Sequence, residues 1–203
     1  MLVIEGLSRR FGAHDVIRAL DLSVESGERL ALRGPNGSGK TTLLRCIAGT
    51  LTPSGGAISV GGHPAGSVDA SRLVGVSLSQ ERSFHLRLSG HDQLLFFARL
   101  RSASLEEAER DVVALEEELE LVDIAARRVD KCSTGMVQQL AFARSLLCGP
   151  SLLILDESTR SLDKQAAARL WSALDRRAEV AVIMATHREE DFDRCSRQLD
   201  LPL

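Results

Sequence analysis

Between Arg33 and Thr42 the chain reads RGPNGSGKTT, three glycines and a proline ahead of one lysine and two threonines. Gly34, Gly39, Lys40 and Thr41 fill the pattern G-x-x-x-x-G-K-[ST]. Such a loop can cradle an anion. Glycines let the N–H groups of Asn36, Gly37 and Ser38, which follow Pro35, approach phosphate oxygens closely, and the helix that follows adds the partial positive charge of its N-terminus. Lys40 can then reach the β- and γ-phosphates, the Thr41 hydroxyl can ligate Mg²⁺, and Thr42 sits near the α-phosphate. The bland alternative is a glycine-rich turn between a strand and a helix. A second segment weighs against it: LLILDE places Asp156 and Glu157 at the end of an apolar strand. There Asp156 can hold the metal, and Glu157 can polarise an attacking water as general base.

The elements around these residues must bring them together. LVIEGLSRRF and ALDLSVESGERLALRG read as strands separated by turn residues, and the second runs directly into the glycine-rich loop. KTTLLRCIAG reads as a helix stopped by Gly49, and PSGGAISVGGHPAG as a short hairpin with glycine pairs at both turns. From LSGHDQLLFFARL to about Arg128 the pattern is helical, with Leu105, Ala108, Val112, Leu115, Leu119 and Val122 forming one packed stripe. The acidic run Glu116 to Glu118 is expected on its solvated face. MVQQLAFARSLLCG reads as another helix, followed by strand SLLILD, helix DKQAAARLWSALDRRA and strand VAVIMATH. Alternating strands and helices predict a mainly parallel sheet covered by helices, an α/β fold with the helical middle inserted between strands of one domain.

Composition narrows the function classes. A net charge of −3 supplies no global basic field for nucleic acid or an anionic membrane. No window approaches the length of apolar chain that a membrane span needs. Cys46, Cys132, Cys148 and Cys195 show no metal-binding spacing, so reduced thiols are expected rather than zinc ligands. These features predict a cytoplasmic chain.

At this point the sequence resembles the ATP-binding subunits of ABC transporters, over almost its whole length. The matching stretches fall in order: GPNGSGKTT, Gln80 in VSLSQERSF, CSTGMVQQLAFARSLL, LLILDE, SLD and ATH. The third is the most diagnostic, and its STGM form is similar to that of ABC-2-type exporters. The resemblance implies a P-loop NTPase with a small antiparallel β subdomain and an inserted helical subdomain. Residues 1–203 would form one domain, with about 1–80 and 146–203 the ATP-binding core and about 81–145 the helical subdomain. It implies ATP and Mg²⁺ as ligands. Ser133 and Gly135 would contact the γ-phosphate bound by a second subunit, and Asp163 would touch that partner. Gln80 would sense the metal and water, His187 would contact the γ-phosphate, and Phe11 would stack on adenine. Read without the resemblance, Phe11 is a core residue and His187 a surface one.

The implied activity is ATP hydrolysis by a sandwich dimer, homo- or heteromeric, driving export through separate transmembrane permease subunits at the cytoplasmic face. The segment from about Glu81 to Arg101 would be their docking surface, with no direct nucleic acid contact. A soluble ABC-type ATPase in cofactor assembly, repair or translation is the alternative reading. Three departures from the family pattern stand out. Ser158 replaces the usual proline after the glutamate, which predicts a less rigid loop; Cys132 precedes the signature; and only 203 − 187 = 16 residues follow His187, so no appended regulatory domain is expected.

Overall fold

A computed structural model of the chain describes residues 1–78, 84–102 and 104–201. Two sheets are present among them. Strands β1 (Leu2–Phe11), β2 (His14–Val24), β4 (Gly55–Val60) and β5 (His63–Pro64) form an antiparallel sheet in the order β2-β1-β4-β5. The hairpin expected from the glycine pairs is β4–β5, and a register shift between Ile4 and Leu7 bulges β1 where Gly6 adopts a positive φ.

The second sheet is parallel, in the order β6-β7-β8-β3-β9, from β3 (Arg29–Arg33), β6 (Val74–Ser77), β7 (Leu152–Asp156), β8 (Ala181–Ala185) and β9 (Arg197–Asp200). All five residues of β7, LLILD, are buried, as are all five of β8, the continuous apolar run that a strand covered on both faces requires. Successive side chains point to opposite faces. Leu152 and Ile154 accordingly pack with α1 (Lys40–Ile47) and the antiparallel sheet, while Leu153 and Leu155 pack with α6 (Thr134–Leu146) and α7 (Lys164–Asp175).

Short helix α2 (Val68–Leu73), not anticipated from the sequence, leads into β6. Between β6 and β7 lie α3 (Gly90–Arg99), α4 (Leu105–Glu118), α5 (Val122–Ala125) and α6. Their apolar faces join one continuous core with β7, β8 and α7, through Leu94, Ala98, Val112, Leu140 and Trp171 among others. The predicted stripe holds for Ala108, Val112, Leu115 and Leu119, all buried, and fails for Leu105 and Val122, which are 46% and 55% exposed. The reason is helix length. Leu105 is the first residue after the Ser104 cap, and α4 ends at Glu118, so its period does not carry across Glu120, which has a φ of 53°.

The acidic run also differs from expectation. Glu116 is buried and lies 2.9 Å from His91 Nδ1, and Glu118 binds Arg177 through both carboxylate oxygens. Only Glu117 of the three faces solvent. All four cysteines are free thiols. Among the described residues, no helix is long and apolar enough to cross a membrane.

Candidate active site

In the parallel sheet the chain leaves β3, β7 and β8 at the same end, so Gly34, Glu157 and Thr186 open three adjacent loops. Between them lies an open cleft of about 440 Å³ lined by His14, Val16, Asn36, Gly37, Gly39, Lys40, Thr41, Thr42, Asp156, Glu157, Arg160 and His187. The sequence separates these residues by more than 170 positions; the sheet gathers them.

The glycine-rich loop turns through left-handed backbone at Gly37 and Gly39, with φ of 89° and 95°. Gly39 caps α1, and a Cβ there would come within 2.9 Å of Val16 Cγ1. A side chain at that position would therefore be strained. A helix cannot satisfy its own first-turn amides, and among the described residues no carbonyl accepts from the amides of Lys40, Thr41 or Thr42. The Ser38 hydroxyl is buried and likewise without a protein partner among them. Lys40 is 7% exposed, its ammonium bonding back to the carbonyls of Gly34 at 2.6 Å and Pro35 at 3.0 Å. These bonds hold the cation over the loop.

Thr41 Oγ1 donates to Asp156 Oδ2 at 2.9 Å, so the hydroxyl and carboxylate expected to share a metal are in contact across 115 residues of sequence. Two hard oxygen donors of this kind suit Mg²⁺. Beside them, Glu157 Oε1 lies 3.3 Å from His187 Nε2. Burial pushes the Glu157 carboxyl above the ordinary glutamate range, with His187 opposing that shift and Asp156 adding to it. Glu157 also carries a φ of 54°, an unusual value for a residue with a side chain. Its amide donates to Ala185 O at 2.8 Å, and its carbonyl accepts from Gln138 Nε2 and the Arg160 amide. Three bonds thus hold this backbone in a region it would otherwise leave.

Ser158 follows, 1% exposed, with its hydroxyl reaching Ser77 on β6 at 3.3 Å. The loop that the missing proline was expected to loosen is instead anchored by a side-chain bond. Gln138, overlooked in the sequence, spans from Glu157 O to the Ser161 amide at 3.0 Å. Arg160 in the cleft was also overlooked, because an arginine in ESTRS carries no motif.

The signature residues lie elsewhere. Ser133 caps α6, accepting from the Met136 amide at 3.3 Å while Met136 Sδ accepts from the Ser133 amide. Gly135 packs against the Ser161 carbonyl, which a Cβ would approach to 2.6 Å. Asp163 caps α7 by accepting from the Ala166 amide at 2.8 Å. Phe11 is neither core nor part of the cleft: it is 48% exposed, with the Arg9 guanidinium 4.3 Å from its ring centroid. Gln80 lies outside the described residues.

The ABC transporter family model matches residues 17–160. The chain belongs to the ABC transporter family. It is 35% identical over 203 residues to the uncharacterised ABC transporter ATP-binding protein YdbJ of Bacillus subtilis, covering 97% of this chain and 65% of that protein. It is also 35% identical over 200 residues to the Nod factor export ATP-binding protein I of Rhizobium johnstonii, covering 96% and 64%. The ABC chain thus spans just under two thirds of these two relatives.

Among solved structures, the ATP-binding subunit of an ABC transporter aligns with a TM-score of 0.89 at 27% identity, over 99% of this chain and 85% of that one. A dimeric ATP-binding cassette in a post-hydrolysis state, bound to ADP and phosphate, aligns with a TM-score of 0.86 at 20% identity, over 99% and 94%. The fold of two sheets with inserted helices is that of an ABC cassette.

Proposed function

We propose that this ABC cassette binds Mg·ATP in the cleft and hydrolyses it to drive transport, in the export direction, through separate transmembrane subunits. The observation that carries this reading is the meeting of Thr41 with Asp156, and of Glu157 with His187, beside the first-turn amides of α1. Those amides and Lys40 would hold the β- and γ-phosphates, with Gly34, Pro35, Asn36, Gly37, Ser38 and Gly39 shaping the loop and Thr42 near the α-phosphate. Thr41, Asp156 and Gln80 would hold Mg²⁺, which when bound neutralises charge developing on the phosphate oxygens.

Glu157 accepts the proton of the attacking water at its carboxylate. Its raised pKa makes it a better base than an ordinary glutamate, provided it is ionised. His187 Nε2, 3.3 Å from Glu157 Oε1, would orient that carboxylate and face the γ-phosphate. Positioning and charge stabilisation supply most of the rate in such reactions, so an incomplete site is slow.

One chain supplies half of each complete site. Ser133, Gly135 and Asp163 would meet the nucleotide bound by a second cassette, a reading supported by the dimeric cassette of similar fold. Phe11 would contact the base from the rim. The division of 1–203 into a core of about 1–80 and 146–203 and a helical subdomain of about 81–145 belongs to the same proposal. Docking of the transmembrane subunits on the segment up to Arg101 is supported by Leu86, Phe96 and Leu100, apolar side chains 62%, 56% and 67% exposed. Export is supported by the Nod factor export relatives. Such partners would hold the cassette at the cytoplasmic face of the membrane.

The test is ATP turnover by purified protein and its Glu157→Gln variant. Glu157→Gln is expected to lose about 10²- to 10⁴-fold in kcat, keep its affinity for ATP, and accumulate as a dimer on size exclusion with ATP. A variant turning over at the wild-type rate would remove Glu157 as the base. Co-purification with soluble proteins alone would shift the role away from transport.

A further inference from the structure

Asp191 lies in the short helix α8 (Glu189–Phe192) after the His187 loop, and it is 1% exposed. No cationic group among the described residues forms an ion pair with it. Its partners are neutral donors from three places: the Thr159 and Thr186 hydroxyls donate to Oδ2, and Trp171 Nε1 of α7 donates to Oδ1 at 3.2 Å. Thr159 and Thr186 are each 1% exposed as well. A carboxylate this deeply buried is costly unless its oxygens are satisfied, and here three donors converge on it.

The positions of the two threonines matter more than their number. Thr159 follows Glu157 by two residues, and Thr186 immediately precedes His187. The β7–β8 ladder ends at the pair Asp156 and Ala185, with the Glu157 amide donating the last bond to Ala185 O. Past that point the two strands lead into separate loops. The Asp191 carboxylate ties them together again, assisted by Arg188, whose guanidinium donates to Thr159 O at 2.9 Å and whose amide donates to Thr186 Oγ1 at 3.1 Å.

We propose that Asp191 is a positioning residue for hydrolysis: it clamps the loop after Glu157 to the loop carrying His187 and so sets the spacing of that pair. This rests on the reading above that Glu157 and His187 act on ATP. A carboxylate accepts all three donors at once; an amide can still accept from Trp171 only by turning its NH₂ toward the threonine hydroxyls, which would then have to accept and leave their own protons without this partner. A purely structural buried aspartate would stabilise the fold without distinguishing kcat from nucleotide affinity.

The experiment uses the full chain. Asp191→Asn should lower kcat for ATP about 10- to 100-fold with KM within about threefold of wild type, since the residues that hold the phosphates are untouched. Trp171 is the sole tryptophan, so its emission should shift as the acceptor beside the indole changes from a carboxylate to an amide. Thr186→Val, which removes one donor, should move kcat the same way, and Thr186→Ser, which keeps it, should restore the rate. A folded Asp191→Asn protein with wild-type kcat overturns the proposal, as does equal behaviour of the Val and Ser variants. If Asp191→Asn fails to fold, the Thr186 pair decides. An inactive wild type would instead sink the hydrolysis reading. The clamp is then judged by amide exchange at residues 157–160 and 186–188 without nucleotide, using Thr186→Val and Asp191→Asn: faster exchange supports it and unchanged exchange overturns it.

Discussion

The cleft at the ends of β3, β7 and β8 and the signature end of α6 differ in what their polar groups are doing. In the cleft, Thr41 bonds Asp156 and His187 pairs with Glu157, and among the described residues the first-turn amides of α1 have no carbonyl acceptor. At the signature end, Ser133 and Asp163 spend their side-chain oxygens on capping helices, and Gly135 exists in close contact with the Ser161 carbonyl. The first region has its chemistry assembled within one chain. The second is built first for local structure, and any role toward a neighbouring nucleotide is added to a structural one. Motif residues in the two regions therefore call for different controls.

Variants at three positions sharpen this contrast, in descending order of expected effect. Gly135→Ala should destabilise the fold by roughly 1–3 kcal/mol in urea unfolding, because the new methyl would meet a backbone carbonyl. If it folds with wild-type stability and loses only activity, the glycine serves nucleotide contact alone. Ser133→Ala should cost about 1 kcal/mol through the lost cap. Ser133→Asp, which can still cap, should recover that stability; ATPase activity lost in the Asp variant but not its stability would reveal the second role directly.

The third concerns what attaches the signature helix's neighbours to the core. Glu118 on α4 binds Arg177 and Arg176 after α7, and the Arg177 hydrogen bond holds its carboxyl below the usual glutamate range. A lowered folded-state pKa contributes stability above the unfolded pKa that is lost as pH falls through the folded one. Glu118→Gln should therefore cost up to about 1 kcal/mol near neutral pH, with the difference from wild type shrinking at acid pH. A difference independent of pH would assign the loss to packing.

Much of this was legible in the residues. The loop RGPNGSGKTT and the run LLILDE are local patterns whose backbone needs are met by few other residue types, so their elements and their facing could be read from spacing. The α4 stripe was legible only in its middle, since periodicity does not reveal where a helix stops. Glu116 and Glu118 were misread as solvated because charge alone does not reveal a partner on α3 or just after α7. Ser158 was read as a loss of rigidity because its compensating bond comes from Ser77, 81 positions away.

The sequence by itself determined β1, β2, β3, β7, β8 and the β4–β5 hairpin, though not β6 or β9, together with the glycine-rich loop and the carboxylates at the end of β7, because each depends on residues adjacent in the chain. Only the tertiary structure decided that Glu157 holds a left-handed backbone, that Gln138 braces it, and that Asp191 joins two loops. Those facts depend on groups brought together by sheet order, where hydrogen bonds between distant segments form only once the apolar faces of β7 and β8 are buried.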